Sequence, residues 1–301
     1  MDKTPSLHSD ITTRLGRISD TPALDASVLI SHILNKPRTW VLAHPELTLT
    51  TEQQKRLKAS LDRLESGEPF PYVIGIWEFF GLKFDVTSDV LIPRPETELL
   101  VEKAITWLQS HPKQRVVADV GTGSGVIAIS IAAHISKVKI LATDISSKAL
   151  QVAKRNAEKH GVSKNIEFIE CDLLPERSTP NALQSKIVNR KSSIDMLCTN
   201  LPYIPTKELH KLPIYNREPT LALDGGEDGL DQIRKLMRIA PAWLAPDGLM
   251  LLEIESSQGL EILYLARETF PDAHIRLHKD LAGKDRLLSV ENTSKADRNK
   301  Q

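Results

Sequence analysis

The stretch Asp119-Val-Gly-Thr-Gly-Ser-Gly125 closes one hydrophobic run, 115–120, and opens a second, 126–135. Glycines at alternate positions let a backbone turn tightly and approach a ligand with no Cβ in the way. A strand that feeds a helix through such a loop is half of a parallel crossover unit. Six further strand-like runs follow, at 139–143, 166–170, 194–199, 249–254, 275–278 and 287–290, with helical periodicity between them at 146–160 and 230–244. This alternation predicts an α/β domain with a seven-stranded, mainly parallel sheet covered on both faces. Such a sheet binds ligands beyond the carboxyl ends of its strands.

Ahead of this region the pattern is different. Apolar residues recur at helical spacing over 25–34, and Leu57, Leu61 and Leu64 share one face of a helix that Thr50 or Thr51 can cap. Residues 1–70 therefore read as a small all-helical domain. Residues 71–92 read as a β-hairpin linker, with strands at 72–80 and 82–86 around Gly81. The main domain runs over 93–291, its first helix starting at Thr97, and a polar tail occupies 292–301.

Charge and cysteine counts exclude other classes. Lys and Arg total 39, and so do Asp and Glu, so the chain has no global basic field for gripping nucleic acid. Two cysteines make neither a disulfide framework nor a four-thiolate zinc site. The nine histidines lack metal-ligand spacing, and no metal is expected. No uncharged apolar run reaches the ~18 residues of a membrane span. A cytoplasmic, monomeric protein is expected.

The loop spacing is GxGxG, not the GxGxxG of dinucleotide binders. The helix N-terminus after it suits an anion, and a ligand carrying an amino acid would offer its carboxylate. Asp144, at the end of the second strand, is placed to accept hydrogen bonds from both ribose hydroxyls. Asp172, after the third strand, is placed to reach an adenine amino group. Together these residues resemble S-adenosylmethionine-dependent methyltransferases of the Rossmann-like class I. The resemblance makes Asp119, Gly121, Thr122, Gly123, Ser124, Gly125, Asp144 and Asp172 cofactor-binding candidates, and S-adenosylmethionine the expected cofactor.

Asn200-Leu-Pro-Tyr203 follows the fourth strand. Pro202 removes a donor and stiffens the turn, leaving the Leu201 carbonyl to face the pocket. The Asn200 side-chain oxygen is a second acceptor. Two acceptors converging on one –NH₂ group hold both its hydrogens and aim its lone pair. Tyr203 can cover a planar group. Asn200, Leu201, Pro202 and Tyr203 are thus the catalytic and substrate-binding candidates, and alignment is the main source of rate.

Longer motifs narrow the reading. Residues 67–80 (GEPFPYVIGIWEFF), 90–98 (VLIPRPETE), 217–230 (REPTLALDGGEDGL), Glu253-Ile-Glu with Gln258-Gly259, and 279–286 (KDLAGKDR) closely resemble the peptide chain release factor glutamine methyltransferases, the PrmC/HemK family, over nearly the whole chain. The resemblance implies methyl transfer to the N5 amide nitrogen of the glutamine in the Gly-Gly-Gln motif of class I release factors. It also implies that Leu173 and Asn200 contact the cofactor, that the tetrad holds the substrate amide, and that the helical domain helps engage the release factor. The family usually carries Pro where this chain has Leu201, and often an aromatic where it has Leu173. The atom needed at 201 is a backbone carbonyl, which Leu also supplies.

Two readings of Arg94, Glu96 and Glu98 stand side by side: residues bordering the cofactor, or a salt-bridge network at a domain junction. Glu218-Pro219 is placed to shape the substrate cleft. The tetrad also occurs in adenine-N6 methyltransferases, which act on RNA or DNA, and that is the alternative function. Zero net charge and the small helical domain weigh against it, and no nucleic-acid substrate is expected. A non-catalytic adaptor would require a damaged loop or tetrad, and both keep their functional atoms.

Overall fold

A computed structural model describes residues 6–113, 116–175, 185, 187 and 194–293. Arg115, expected to begin the first strand of the sheet, and tail residues 294–301 lie outside them. The chain divides into two compact units, Met1–Ile76 and Trp77–Gln301.

The first unit holds α1 (Leu7–Leu15), α2 (Pro22–Leu34), α3 (Arg38–Ala43), α4 (Thr51–Glu65) and α5 (Phe70–Ile74). Thr50 caps α4 in a reciprocal box with Gln53. Leu57, Leu61 and Leu64 bury the face that their spacing predicts, against Ile11, Leu15, Leu29 and Ile30. One expectation fails here. Tyr72–Ile74, read as strand, closes α5 instead. Pro69 and Pro71 pre-set the start of a helix, and Gly75, at φ 75°, stops it one turn later. These punctuating residues outweigh the β-propensity of Val73 and Ile74.

The hairpin strands are β1 (Ile76–Phe79) and β2 (Leu82–Asp85). After them come α6 (Thr97–Ser110), β3 (Val116–Val120), α7 (Val126–His134), β4 (Lys139–Asp144), α8 (Ser147–Lys159), β5 (Ile166–Glu170), β6 (Ile194–Thr199), α9 (Thr206–Leu209), α10 (Asp231–Ile239), β7 (Leu244–Glu253), α11 (Gly259–Thr269), β8 (His274–Lys279) and β9 (Asp285–Glu291). The seven-stranded sheet has the order β5-β4-β3-β6-β7-β9-β8. Its strands run parallel except β9, which is antiparallel to both neighbours.

Successive strand residues face opposite sides, and both sides are buried. Val117, Ile140, Met196 and Leu251 pack under α6 and α7, while Ala118, Leu141, Leu197 and Leu252 pack under α10 and α11. This explains the near-continuous apolar runs. The helix expected over 230–244 ends at Ile239 because Pro241 cannot continue it. β7 begins at Leu244, five residues before the expected start, across a register shift between Ile194 and Met196 of β6.

Candidate active site

β3 and β6 are adjacent, with Val120 opposite Thr199, so the glycine loop and the Asn-Leu-Pro-Tyr tetrad leave the sheet at the same level. Thr199 Oγ1 donates to the Val120 carbonyl at 2.7 Å. From the other side, the Thr143 carbonyl of β4 accepts from the amides of Gly121 and Thr122 at 2.9 and 2.8 Å. The loop is thus held from both flanking strands. One cavity opens above them, lined by Gly121, Thr122, Gly123, Ser124, Asp144, Asp172, Leu173, Asn200, Leu201 and Pro202, which are ten of the residues singled out from sequence.

Three candidates lie outside that lining. Asp119 is fully buried, and its Oδ2 accepts from Thr122 Oγ1 at 2.6 Å and from the Ala128 amide at 3.1 Å. Burial lifts its pKa to about 6. It ties the loop to the first turn of α7 from below the cavity lining. Gly125 packs against α8, where a Cβ would sit 3.2 Å from that of Ala153. Tyr203 is half-buried, and its carbonyl accepts from Gln258 Nε2 at 3.0 Å. Burial, with Glu253 nearby, pushes its phenol well above the ordinary range, so it stays neutral.

Asp144 Oδ2 accepts from the Gly123 amide at 2.9 Å, and Oδ1 from the Ser146 amide at 2.8 Å. The carboxylate therefore orders the loop and still has lone pairs for a ligand. Asp172 is over half exposed, 4.0 Å from Lys235. Leu173 has φ 61°, and its carbonyl accepts from Thr143 Oγ1 at 2.5 Å.

In the tetrad, Asn200 Nδ2 donates to Thr97 Oγ1 at 3.1 Å. That fixes the amide and leaves Oδ1 as an acceptor. Leu201 is buried, its Cδ2 lying 3.3 Å from where a Gly121 Cβ would stand, so its side chain fills the seam between tetrad and loop. Its carbonyl accepts no backbone hydrogen bond from the described residues.

The segment before α6 forms one lip of the cavity and residues 219–224 another. Buried Glu218 joins them: Oε1 accepts from Arg94 Nη2 at 2.6 Å and Oε2 from the Ile92 amide at 3.1 Å. Of the two readings for this segment, Arg94 follows the first in lining the cavity, while its pairing with Glu218 lies within the unit Trp77–Gln301 and is no junction between domains. Glu98 does neither, accepting from the Phe80 amide at 2.7 Å. Cys198 is fully buried and Cys171 partly so, and burial pushes both thiols up, Cys171 to about 12.

Sequence reasoning missed three residues. Buried Asn156 of α8 clasps the Ser124 carbonyl at 2.9 Å and both backbone groups of Asp85. In the sequence Thr97 marks only a helix start, and Glu253 only part of a motif. A polar residue inside an apolar helical face, as at Asn156, was the available signal.

A parallel sheet with one reversed strand, a glycine loop after its first strand and an acceptor-rich tetrad beside it define a Rossmann-like methyltransferase. Residues 7–75 match a family model described as the PrmC N-terminal domain, and residues 111–222 one described as a methyltransferase domain. The release factor glutamine methyltransferase of Coxiella burnetii is 38% identical over 284 residues, spanning 93% of this chain and 95% of its own. That of Moorella thermoacetica is 39% identical over 270 residues, spanning 89% and 91%. The chain belongs to the release factor glutamine methyltransferase family.

Among solved structures, the release factor-specific protein-(glutamine-N5) methyltransferase of Alicyclobacillus acidocaldarius is 29% identical, with a TM-score of 0.41 over 70% of this chain and all of that one. The hMettl16 catalytic domain, solved with an RNA hairpin, is 16% identical, with a TM-score of 0.52 over 83% of this chain and 84% of its own, a likeness of fold alone. No helix of the described residues is long and apolar enough to cross a membrane.

Proposed function

We propose that this protein transfers a methyl group from S-adenosylmethionine to the N5 amide nitrogen of the glutamine in the Gly-Gly-Gln motif of class I peptide chain release factors. The observation that carries the reading is the Asn200–Thr97 hydrogen bond. With Nδ2 committed to Thr97, Asn200 presents Oδ1 as an acceptor, and the Leu201 carbonyl is a second. A carboxamide –NH₂ has two hydrogens to give. Its lone pair is delocalised, so it must be oriented before it can attack, and two acceptors impose that orientation. No strong base is needed, because the nitrogen becomes acidic on methylation and water takes the proton.

The cavity fits the cofactor. Gly123 has open space where a Cβ would be, so the backbone can approach a ligand closely. The N-terminus of α7 suits a carboxylate. Asp144 suits ribose hydroxyls, and the apolar bodies of Ile145 and Leu173 suit a planar base. The cofactor supplies an electrophilic methyl on a sulfonium; binding, orientation and exclusion of water fall to the chain. The helical unit, Met1–Ile76, engages the release factor in this reading. A translation factor as substrate places the work in the cytoplasm.

The test is methyl transfer from labelled S-adenosylmethionine to a purified release factor, to its variant with the motif glutamine replaced, and to ribosomal RNA. Label on the intact factor alone is expected. Label on the variant, or on RNA instead, would sink the reading.

A further inference from the structure

Glu253 ends β7 and is 1% exposed. Thr199 of β6 pairs with Leu252 of β7, so the next residues of these strands, Asn200 and Glu253, stand side by side where β6 leaves the sheet. The groups facing the Glu253 carboxyl are Glu96 and Thr97 at the start of α6, Asn200 and Tyr203 after β6, and Arg286 of β9. Arg286 does not neutralise it, since its Nη1 donates to the Ile254 carbonyl at 3.3 Å and its Nε faces Asp280 at 3.5 Å. Among the described residues neither Glu253 oxygen has a hydrogen-bond partner, although Thr97 and Asn200 lie near enough to act on the carboxyl. A buried carboxyl without its own cation is costly, and an apolar residue would serve the core better. Packing alone therefore gives no account of a Glu at this position.

We propose that Glu253 is a positioning residue for the amide methylation: its carboxylate takes the Thr97 hydroxyl hydrogen, so that Thr97 Oγ1 stays an acceptor for Asn200 Nδ2 and Asn200 Oδ1 stays aimed into the cavity. The inference rests on the reading that Asn200 holds the target amide. The relay is directional. Thr97 has one hydrogen, and giving it to Glu253 leaves lone pairs for Asn200. Burial raises Glu253 to about 7, with Glu96 adding to the rise, while Thr97, Arg286 and Asn200 oppose it. Once protonated, the carboxyl donates instead of accepting, and the relay loses its anchor. Turnover should therefore fall as pH falls through neutrality.

The experiment uses the full chain with a purified class I release factor, comparing wild type, Glu253→Gln, Thr97→Val and Thr97→Ser. Turnover is measured between about pH 6 and 8.5, and S-adenosylhomocysteine affinity by calorimetry. Wild type is expected to show an acid limb near neutrality. Glu253→Gln is expected to lose about 10- to 100-fold in kcat at high pH, the scale of a small misalignment, and to lose the limb, with cofactor affinity within about twofold. Thr97→Val should reproduce both effects, and Thr97→Ser should restore the rate. An acid limb that survives in Glu253→Gln, or an undiminished kcat, overturns the proposal. Should Glu253→Gln fail to fold, equal rates in Thr97→Val and Thr97→Ser overturn it. A wild type that methylates no release factor at all removes the functional reading itself, a result distinct from either.

Discussion

Arg94 and Glu218, 124 residues apart in sequence, meet at 2.6 Å across the mouth of the cavity, with the Glu218 side chain 3% exposed. Through the Ile92 amide the same carboxylate holds the chain two residues before Arg94. The pair fixes the spacing between the two lips whose residues line the site. Arg94→Ala leaves Glu218 buried with one partner. We expect a loss of about 1–3 kcal/mol in unfolding free energy, read from the denaturant midpoint. Cofactor affinity should weaken with it, since Arg94 itself lines the cavity. Unchanged affinity would separate the lips from cofactor binding.

Asp144 and Asn200 should separate binding from turnover. Asp144→Ala removes the carboxylate that holds Gly123 and, in the proposed reading, the ribose, so S-adenosylhomocysteine affinity should drop about tenfold or more. Asn200→Ala should abolish methylation while affinity stays within several-fold. Isothermal calorimetry beside a labelled-methyl assay distinguishes the two variants. Equal losses of affinity would mean that Asn200 mainly serves the cofactor.

Two loop glycines should respond differently to alanine. At Gly125, φ is 86° and a new Cβ would lie 2.7 Å from Ile129 Cδ1 and 3.2 Å from Ala153 Cβ. Strain and clash together should cost about 2 kcal/mol or more in stability. At Gly123, φ is 56° and nothing lies within 4 Å. Gly123→Ala should cost only about 1 kcal/mol in stability yet lose cofactor binding, because Gly123 lines the cavity. Thermal melts with and without S-adenosylhomocysteine test both.

Glu253 should make stability and turnover respond oppositely to pH. Its folded pKa, about 7, lies above the ordinary 4.5, so the folded state holds the proton more tightly. The stability this adds is complete below about pH 4.5 and is lost as pH rises through 7. Asp119, at about 6 against 3.8, acts the same way over a lower window. Glu253→Gln keeps a neutral side chain at every pH. Relative to wild type it should gain stability between pH 5 and 8, by up to about 3 kcal/mol, even as turnover falls. Denaturant unfolding at both pH values checks the sign. A constant difference would place the ordinary pKa on Glu253.

Much of this was legible along the chain. The Asp119–Gly125 loop, Asp144 and the Asn200–Tyr203 tetrad are local signals, because a strand, a tight turn and a following helix are written in consecutive residues. Their meeting in one cavity follows from parallel strands ending at one edge. The hairpin was only partly legible: the stretch 72–80 carries β-rich residues, but Pro71 and Gly75 decide for a turn of helix before the strand starts. Tyr203, a candidate to cover the substrate, lies outside the cavity lining, because Gln258, 55 residues on, holds its backbone.

By itself the sequence determined the parallel α/β plan, the glycine loop and the identity of the acceptor groups, since each depends on short-range periodicity and residue chemistry. Only the tertiary structure decided which carboxyls are buried and what they hold. Asp119 turns inward to tie loop to helix, Glu218 bridges the cavity mouth, and Glu253 lies beside Asn200. Asp119 finds its partners within nine residues, but its burial, like the surroundings of Glu218 and Glu253, is set by strand register and chain crossovers that exist only once the sheet has closed around them.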